Sequence, residues 1–340
     1  MTGETRAPGI LSTIGSTPLV ELTRIFPDDR VKVYAKLEGF NPAGSIKDRP
    51  AVTMLREKIR RGELIPGKSV VVESSSGNLG IGLAQVCRYF DLRFICVVDP
   101  RANQQNLAIM RALGAEVDLV TEPDEATGDY LPSRLRRVRE LVRAVPGAYW
   151  PDQYGNELNA AAHWTTMREI VEGLPGGHLD YLFCSASSCG TLRGCAEYAR
   201  EHRLPAEIVA VDALGSAIFD AFPPAVRRKL PGHGAALRPA LYAPGLADRV
   251  VHVSDQESVA GCRHLVATEA ILAGGSSGAV VAALARLRPH LPAGSTCVLV
   301  FPDRGERYLN TVYDDTWTAA HLGPIPDVPG TAKEEQFACL

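Results

Sequence analysis

Lys68-Ser69-Val70-Val71-Val72 runs through Glu73 into Ser74-Ser75-Ser76-Gly77-Asn78-Leu79-Gly80, and an apolar-periodic run follows from Ile81 to Phe90. These segments read in turn as a buried strand, a tight turn and a helix. The pattern then recurs. Arg93-Phe94-Ile95-Cys96-Val97-Val98 is a strand; Leu107, Met110 and Leu113 mark one helix face; Gly114 stops that helix; and Glu116–Val120 resumes a strand. The second half follows the same style, with strands at 181–184, 208–211, 250–253 and 296–301 and a helix from Thr191 to Glu201. Ser254-Asp255-Gln256-Glu257 has the spacing of a capping box. Strand-helix alternation predicts an α/β fold with parallel sheets covered on both faces. The chain breaks near Tyr149-Trp150-Pro151-Asp152, and 223–245 is a Pro/Gly-rich connection.

The 340 residues suffice for two domains. Hydrophobic residues make up 46% and charged residues 22%, which excludes a largely disordered chain. A net charge of −3 does not fit a nucleic-acid binder. None of the eight cysteines forms a C-x-x-C pair, and no metal spacing involves the histidines. The cysteines read as reduced thiols in a cytoplasmic protein. Residues 1–6 lack the apolar core of a signal peptide, and Ala270–Ala285 is too short and too broken by glycine and serine to span a membrane.

Four loops carry candidate chemistry. Asn41-Pro42-Ala43-Gly44-Ser45-Ile46-Lys47-Asp48-Arg49 shapes a turn, with Ser45 as a cap and Lys47 in the first turn of a helix. That position disfavours a free cation, an objection a Schiff base would remove. Ser75 to Gly80 lies between strand and helix, where outward backbone amides and the Ser75 and Ser76 hydroxyls suit a carboxylate. Ser187-Ser188-Cys189-Gly190-Thr191 before a helix suits a phosphate, without a Walker sequence. Gly274-Gly275-Ser276-Ser277-Gly278 opens a very apolar helix and equally describes a close backbone crossing.

Taken in order, these loops and Pro302-Asp303-Arg304-Gly305-Glu306-Arg307-Tyr308 resemble the cysteine synthase/cystathionine β-synthase family, pyridoxal-phosphate enzymes of fold type II. The resemblance spans about residues 11–317. It implies a large cofactor-binding domain from 10–40 and 153–320, a smaller mobile substrate domain at 41–152, and pyridoxal 5′-phosphate in the cleft. The end, 323–340, reads as a disordered tail. The resemblance also implies that Lys47 holds the cofactor as an aldimine and moves the Cα proton. Asn78 would contact the cofactor's 3′-oxygen, Ser187 to Thr191 its phosphate, and Ser276 its pyridine nitrogen. Ser75, Ser76, Gly77 and Gln153 would bind the substrate carboxylate. A homodimer is implied as well.

Leu79 stands where cysteine synthases carry a second threonine, Ser187 and Cys189 replace glycines, and Tyr154 replaces a phenylalanine. These departures are similar to a narrower branch that joins O-phospho-L-serine to L-glutamate. Its transferases form N-(2-amino-2-carboxyethyl)-L-glutamate through an aminoacrylate. An oxidative partner then releases 2,3-diaminopropionate for siderophores or peptide antibiotics. Tyr154, Ser187 and Arg134 are the specificity candidates, whereas Arg136, Arg137 and Arg139 read as a solvated helix face. The alternatives are a cysteine synthase using O-acetylserine or O-phosphoserine, and an inactive regulatory or binding paralogue, against which Lys47 argues. No motif supports a dehydratase.

Overall fold

The computed structural model describes residues 9–125, 128–220 and 225–330. Residues 1–6, Pro223-Pro224 and the end of the tail with Cys339 lie outside the described residues. In chain order the elements begin with β1 (Leu19–Glu21), β2 (Lys32–Leu37), α1 (Asp48–Arg60), β3 (Val70–Ser74), α2 (Asn78–Tyr89) and β4 (Arg93–Val98). Next come α3 (Gln104–Ala112), β5 (Glu116–Leu119), α4 (Tyr130–Ala144), β6 (Ala148–Tyr149), α5 (Glu157–Ala161) and α6 (Trp164–Gly173). The last are β7 (Tyr181–Ser185), α7 (Gly190–Glu201), β8 (Glu207–Ala213), β9 (Arg249–Val253), α8 (Asp255–Glu269), α9 (Gly275–Leu287), β10 (Thr296–Phe301) and α10 (Asp315–His321).

Two compact units result. The first joins the stretch ending at Ser16 to Phe40–His163. Its sheet is wholly parallel, in the order β5-β4-β3-β6. Every residue of β3 is buried, as expected of a strand covered on both faces. One core joins Val71, Leu83 and Phe94 to α1 through Met54 and Leu55. The opposite face packs Val70, Val72 and Val97 against Val138 of α4.

The second unit comprises Thr17–Gly39 and the chain from Trp164 onward. Its sheet runs β1-β2-β10-β7-β8-β9, parallel except that β1 pairs antiparallel with β2. Helix α9 is buried from Gly275 through Ala285 and forms the centre of the core. Its Gly278 crosses Gly261 of α8 so closely that a Cβ there would stand 1.9 Å from the Ser258 carbonyl oxygen. The capping box at α8 is complete: Ser254 Oγ accepts from Glu257 N–H, and Glu257 Oε2 accepts from Ser254 N–H.

The contact boundaries differ from those read in the sequence. Residues 10–16 join the first unit because Leu11 packs into its core. The division falls after His163 rather than after 152, because α5 packs on α1 and Leu158 joins the same core. The tail reading is corrected over its described part. Val328 is buried and Ile325 packs beside it, so order continues beyond 323.

Candidate active site

In the first unit Lys47 is the residue before α1, one position ahead of the expected first turn. Ser45 Oγ accepts from Lys47 N–H at 3.2 Å, and Asp48 accepts from Ala43 N–H at 2.6 Å, which locks the turn. Asp48, buried in the first helical turn, places negative charge where the helix dipole favours it and offsets Lys47. The Lys47 carbonyl lies against α2, where a Cβ on Gly82 would stand 3.2 Å away. The lysine and the helix opened by Asn78 are thus brought together. His163, fully buried, feels the positive charges of Lys47 and Arg49; burial first, then those charges, hold its imidazole well below the usual range and keep it neutral.

The Ser75–Gly80 turn leads directly into α2, with Gly77 as its cap and Asn78 as its first residue. Ser75 Oγ accepts from Gly80 N–H at 3.0 Å, and the Ser76 carbonyl accepts from the Asn106 amide at 3.1 Å. Gly77 faces open space. Leu79, by contrast, is 2% exposed and sits in the hydrophobic core. The sequence counted it among the departures bearing on substrate choice; the structure corrects this to packing.

Glu73 was missed in the sequence. It is fully buried at the end of β3 and ties the two expected carboxylate-binding segments together. Its carboxyl accepts from Ser74 N–H at 2.8 Å, from Trp150 Nε1 at 2.9 Å and from Gln153 N–H at 3.4 Å. Burial raises its pKa to about 7 against the opposing pull of these donors, with nearby Asp152 raising it further. The Asn159 amide holds the Gln153 carbonyl at 2.7 Å, and Asn156 holds that of Pro151 at 2.8 Å. Gln153 and Tyr154, both half-buried, are therefore presented by a braced segment.

Arg134 lies on α4, its Nε 3.3 Å from the buried Asp99 carboxylate just beyond β4. Arg101 approaches the same carboxylate, donating its backbone N–H at 2.9 Å. Of the neighbouring arginines, Arg136 pairs with Asp124 and Arg137 with Asp118, while Arg139 lies over the Trp150 ring.

In the second unit Ser187–Thr191 links β7 to α7. Cys189 caps α7 with φ +66°, a left-handed conformation costing a non-glycine residue about 1–2 kcal/mol. Within this turn Gly190 N–H donates to Ser188 Oγ at 3.4 Å, and Ser188, Gly190 and Thr191 are buried. Ser276 stands in the first turn of α9, after Gly274. The segment at 232–234 touches both loops, since Gly234 N–H donates to the Ala186 carbonyl at 2.7 Å and Gly232 faces Ser276. Asp303 lies buried under the Gly274 turn, holds the Tyr308 hydroxyl at 2.5 Å, and so supports the loop that presents Ser276. Among the described residues no cluster of three or more His, Cys, Asp or Glu side chains could hold a metal ion. No helix among them is long and apolar enough to cross a membrane.

A lysine at a braced turn and a helix N-terminus lined by hydroxyls are the two features a cofactor with an aldehyde and a phosphate requires. The family model described as pyridoxal-phosphate dependent enzyme matches residues 10–303, and the chain belongs to that family as a fold type II member. The chain is 44% identical over 313 residues to the N-(2-amino-2-carboxyethyl)-L-glutamate synthase of Ralstonia nicotianae, covering 92% of this chain and 91% of that protein. Among solved structures, it is similar to O-ureido-L-serine synthase, at a TM-score of 0.82 and 31% identity, over 92% of this chain and 99% of the other. It is also similar to the O-acetylserine dependent cystathionine beta-synthase from Helicobacter pylori, at 0.81 and 31%, over 90% and 98%.

Proposed function

We propose that this enzyme joins O-phospho-L-serine to L-glutamate, giving N-(2-amino-2-carboxyethyl)-L-glutamate and phosphate. The observation that carries the reading is the 44% identity over nine-tenths of both chains to a synthase of that name. The Cβ–O bond of phosphoserine breaks, a Cβ–N bond to glutamate's amine forms, and the amine gives up one proton. The Cα proton leaves and later returns. Pyridoxal phosphate, when bound, supplies the electron sink for charge at Cα. The residues of this chain do the rest. Lys47 Nζ would hold the cofactor's aldehyde end and carry the Cα proton. The amides and hydroxyls of Ser187–Thr191 would bind the cofactor phosphate, and Ser276 and Asn78 would hold its ring nitrogen and 3′-oxygen. Ser75, Ser76, Gly77 and Gln153 orient the substrate carboxylate. Tyr154, Ser187 and Arg134 shape the space around Cβ and the leaving phosphate. Asp99 holds the Arg134 guanidinium in place for an anion.

The product is a secondary amine whose cleavage to 2,3-diaminopropionate demands an oxidation. An oxidative partner therefore takes it on toward a siderophore or peptide antibiotic. The family resemblance supports a homodimer, and the buried free cysteines suit a cytoplasmic, reducing setting. The test is phosphate release by the holoenzyme from O-phosphoserine. Stoichiometric release that depends on glutamate is expected. Release that depends on sulfide, with cysteine formed and glutamate ignored, would make the enzyme a cysteine synthase.

A further inference from the structure

The Gly232-His233-Gly234 bend carries hydrogen-bonding atoms that nothing described above uses. Both glycines hold positive φ, +107° and +73°, so the bend depends on their lack of a side chain. Gly234 is anchored to Ala186, immediately before the Ser187 loop. A Cβ on Gly232 would stand 3.7 Å from Ser276 Oγ. Arg228 Nη1 donates to the His233 carbonyl at 3.2 Å. Between these anchors His233 is 1% exposed, and among the described residues neither Nδ1 nor Nε2 has a hydrogen-bond partner. Native interiors rarely leave such atoms unpaired, and a ring with two of them beside ligand-binding loops calls for a ligand.

The chemistry of that ligand follows from the ring's state. Burial and the Arg228 charge lower the imidazole pKa to about 4, so one ring nitrogen donates and the other accepts at neutral pH. Arg228, whose guanidinium also acts on Asp212 and Asp255, is the charged group that acts on the ring, and a cation beside it favours an acceptor bearing negative charge. The cofactor's phosphate and ring nitrogen are already assigned to Ser187–Thr191 and Ser276. A carboxylate of the second substrate remains. We propose that His233 is a specificity-determining residue whose imidazole N–H donates to a carboxylate of the incoming amino acid nucleophile. This rests on the glutamate reading above.

The test compares the wild-type holoenzyme with His233→Leu and His233→Asn. The nucleophiles are L-glutamate, L-glutamine and glutamic acid α-amide, the last two each lacking one carboxylate. In His233→Leu, KM for glutamate should rise about tenfold, as for loss of one hydrogen bond to a charged group. The preference for glutamate over the amide lacking the bound carboxylate should collapse with it. His233→Asn, which retains a donor, should recover part of that preference, and it carries the comparison where leucine is not tolerated. KM for O-phosphoserine, the cofactor's absorption spectrum and its dissociation constant should stay unchanged. Unaltered glutamate KM and preference in a folded variant would overturn the inference. Equal weakening toward the cofactor or O-phosphoserine would do so too, by assigning His233 to them. A wild-type enzyme that releases no phosphate with glutamate would instead overturn the underlying reading.

Discussion

Replacing Glu73 with glutamine should remove a defined component of the pH dependence of stability. The wild-type carboxyl is held at about 7, against 4.5 for an ordinary glutamate, mainly because burial disfavours its charge. At 1.36 kcal/mol per pH unit this gap corresponds to about 3 kcal/mol. Between pH 4.5 and 7 the folded protein keeps the proton that the unfolded chain has already released. Stability therefore falls as pH rises through that window and levels off above about 7. The Glu73→Gln side chain would retain an oxygen for Trp150 Nε1 and Ser74 N–H but would not titrate. Urea unfolding of both holoenzymes, with the same excess of cofactor, at pH 5, 6, 7 and 8 measures the difference. The variant should gain on the wild type by about 2–3 kcal/mol between pH 5 and pH 8. A constant difference across that range would refute the reasoning and place Glu73 in a wetter setting than the structure gives it.

Lys47→Ala should lower kcat by about 10³-fold or more, through loss of a positioned proton carrier, and abolish the absorption of lysine-bound cofactor; stopped-flow and static spectra check both. Glu169→Ala should cost about 3–5 kcal/mol in denaturant unfolding, because Lys36, 1% exposed and 2.8 Å from Glu169, would keep a buried charge without its counter-ion. Leu79→Thr should cost about 2–4 kcal/mol of stability, since it shrinks a core side chain and buries a hydroxyl. The ratio of glutamate to sulfide use should not change in that variant, and product assays on both nucleophiles decide this.

Much of the fold was legible because it rests on local signals. Val70–Val72, Phe94–Val98 and Cys297–Phe301 are apolar runs that end in polar or turn residues, and their strands lie where the pattern puts them. Ser254 and Glu257 announce their helix by spacing alone. Strand β2 was not legible, since Lys32 and Lys36 interrupt it. Lys36 is buried with its charge paired to Glu169 on α6 and its Nζ donating to the Thr17 carbonyl at 2.7 Å, and no window of sequence contains Lys36 and Glu169 together. The site loops could be found as strand-to-helix turns rich in hydroxyls. Side-chain direction could not, which is why Leu79 counts in the sequence as a departure bearing on substrate choice. Glu73 did carry a signal, a carboxylate inside a strand that is otherwise buried. His233 carried a fainter one, a histidine bracketed by glycines within a Pro/Gly-rich connection. Arg134 differs from Arg136 and Arg137 in its partner, the buried Asp99, which only the packing of α4 beside β4 brings into reach.

Mass spectrometry of the products from ¹⁵N-labelled L-glutamate and O-phospho-L-serine tests the central claim most directly, with sulfide present in equal concentration. The label should appear in N-(2-amino-2-carboxyethyl)-L-glutamate, one per phosphate released, with little cysteine. Cysteine as the main product, with the label left in free glutamate, would contradict the claim.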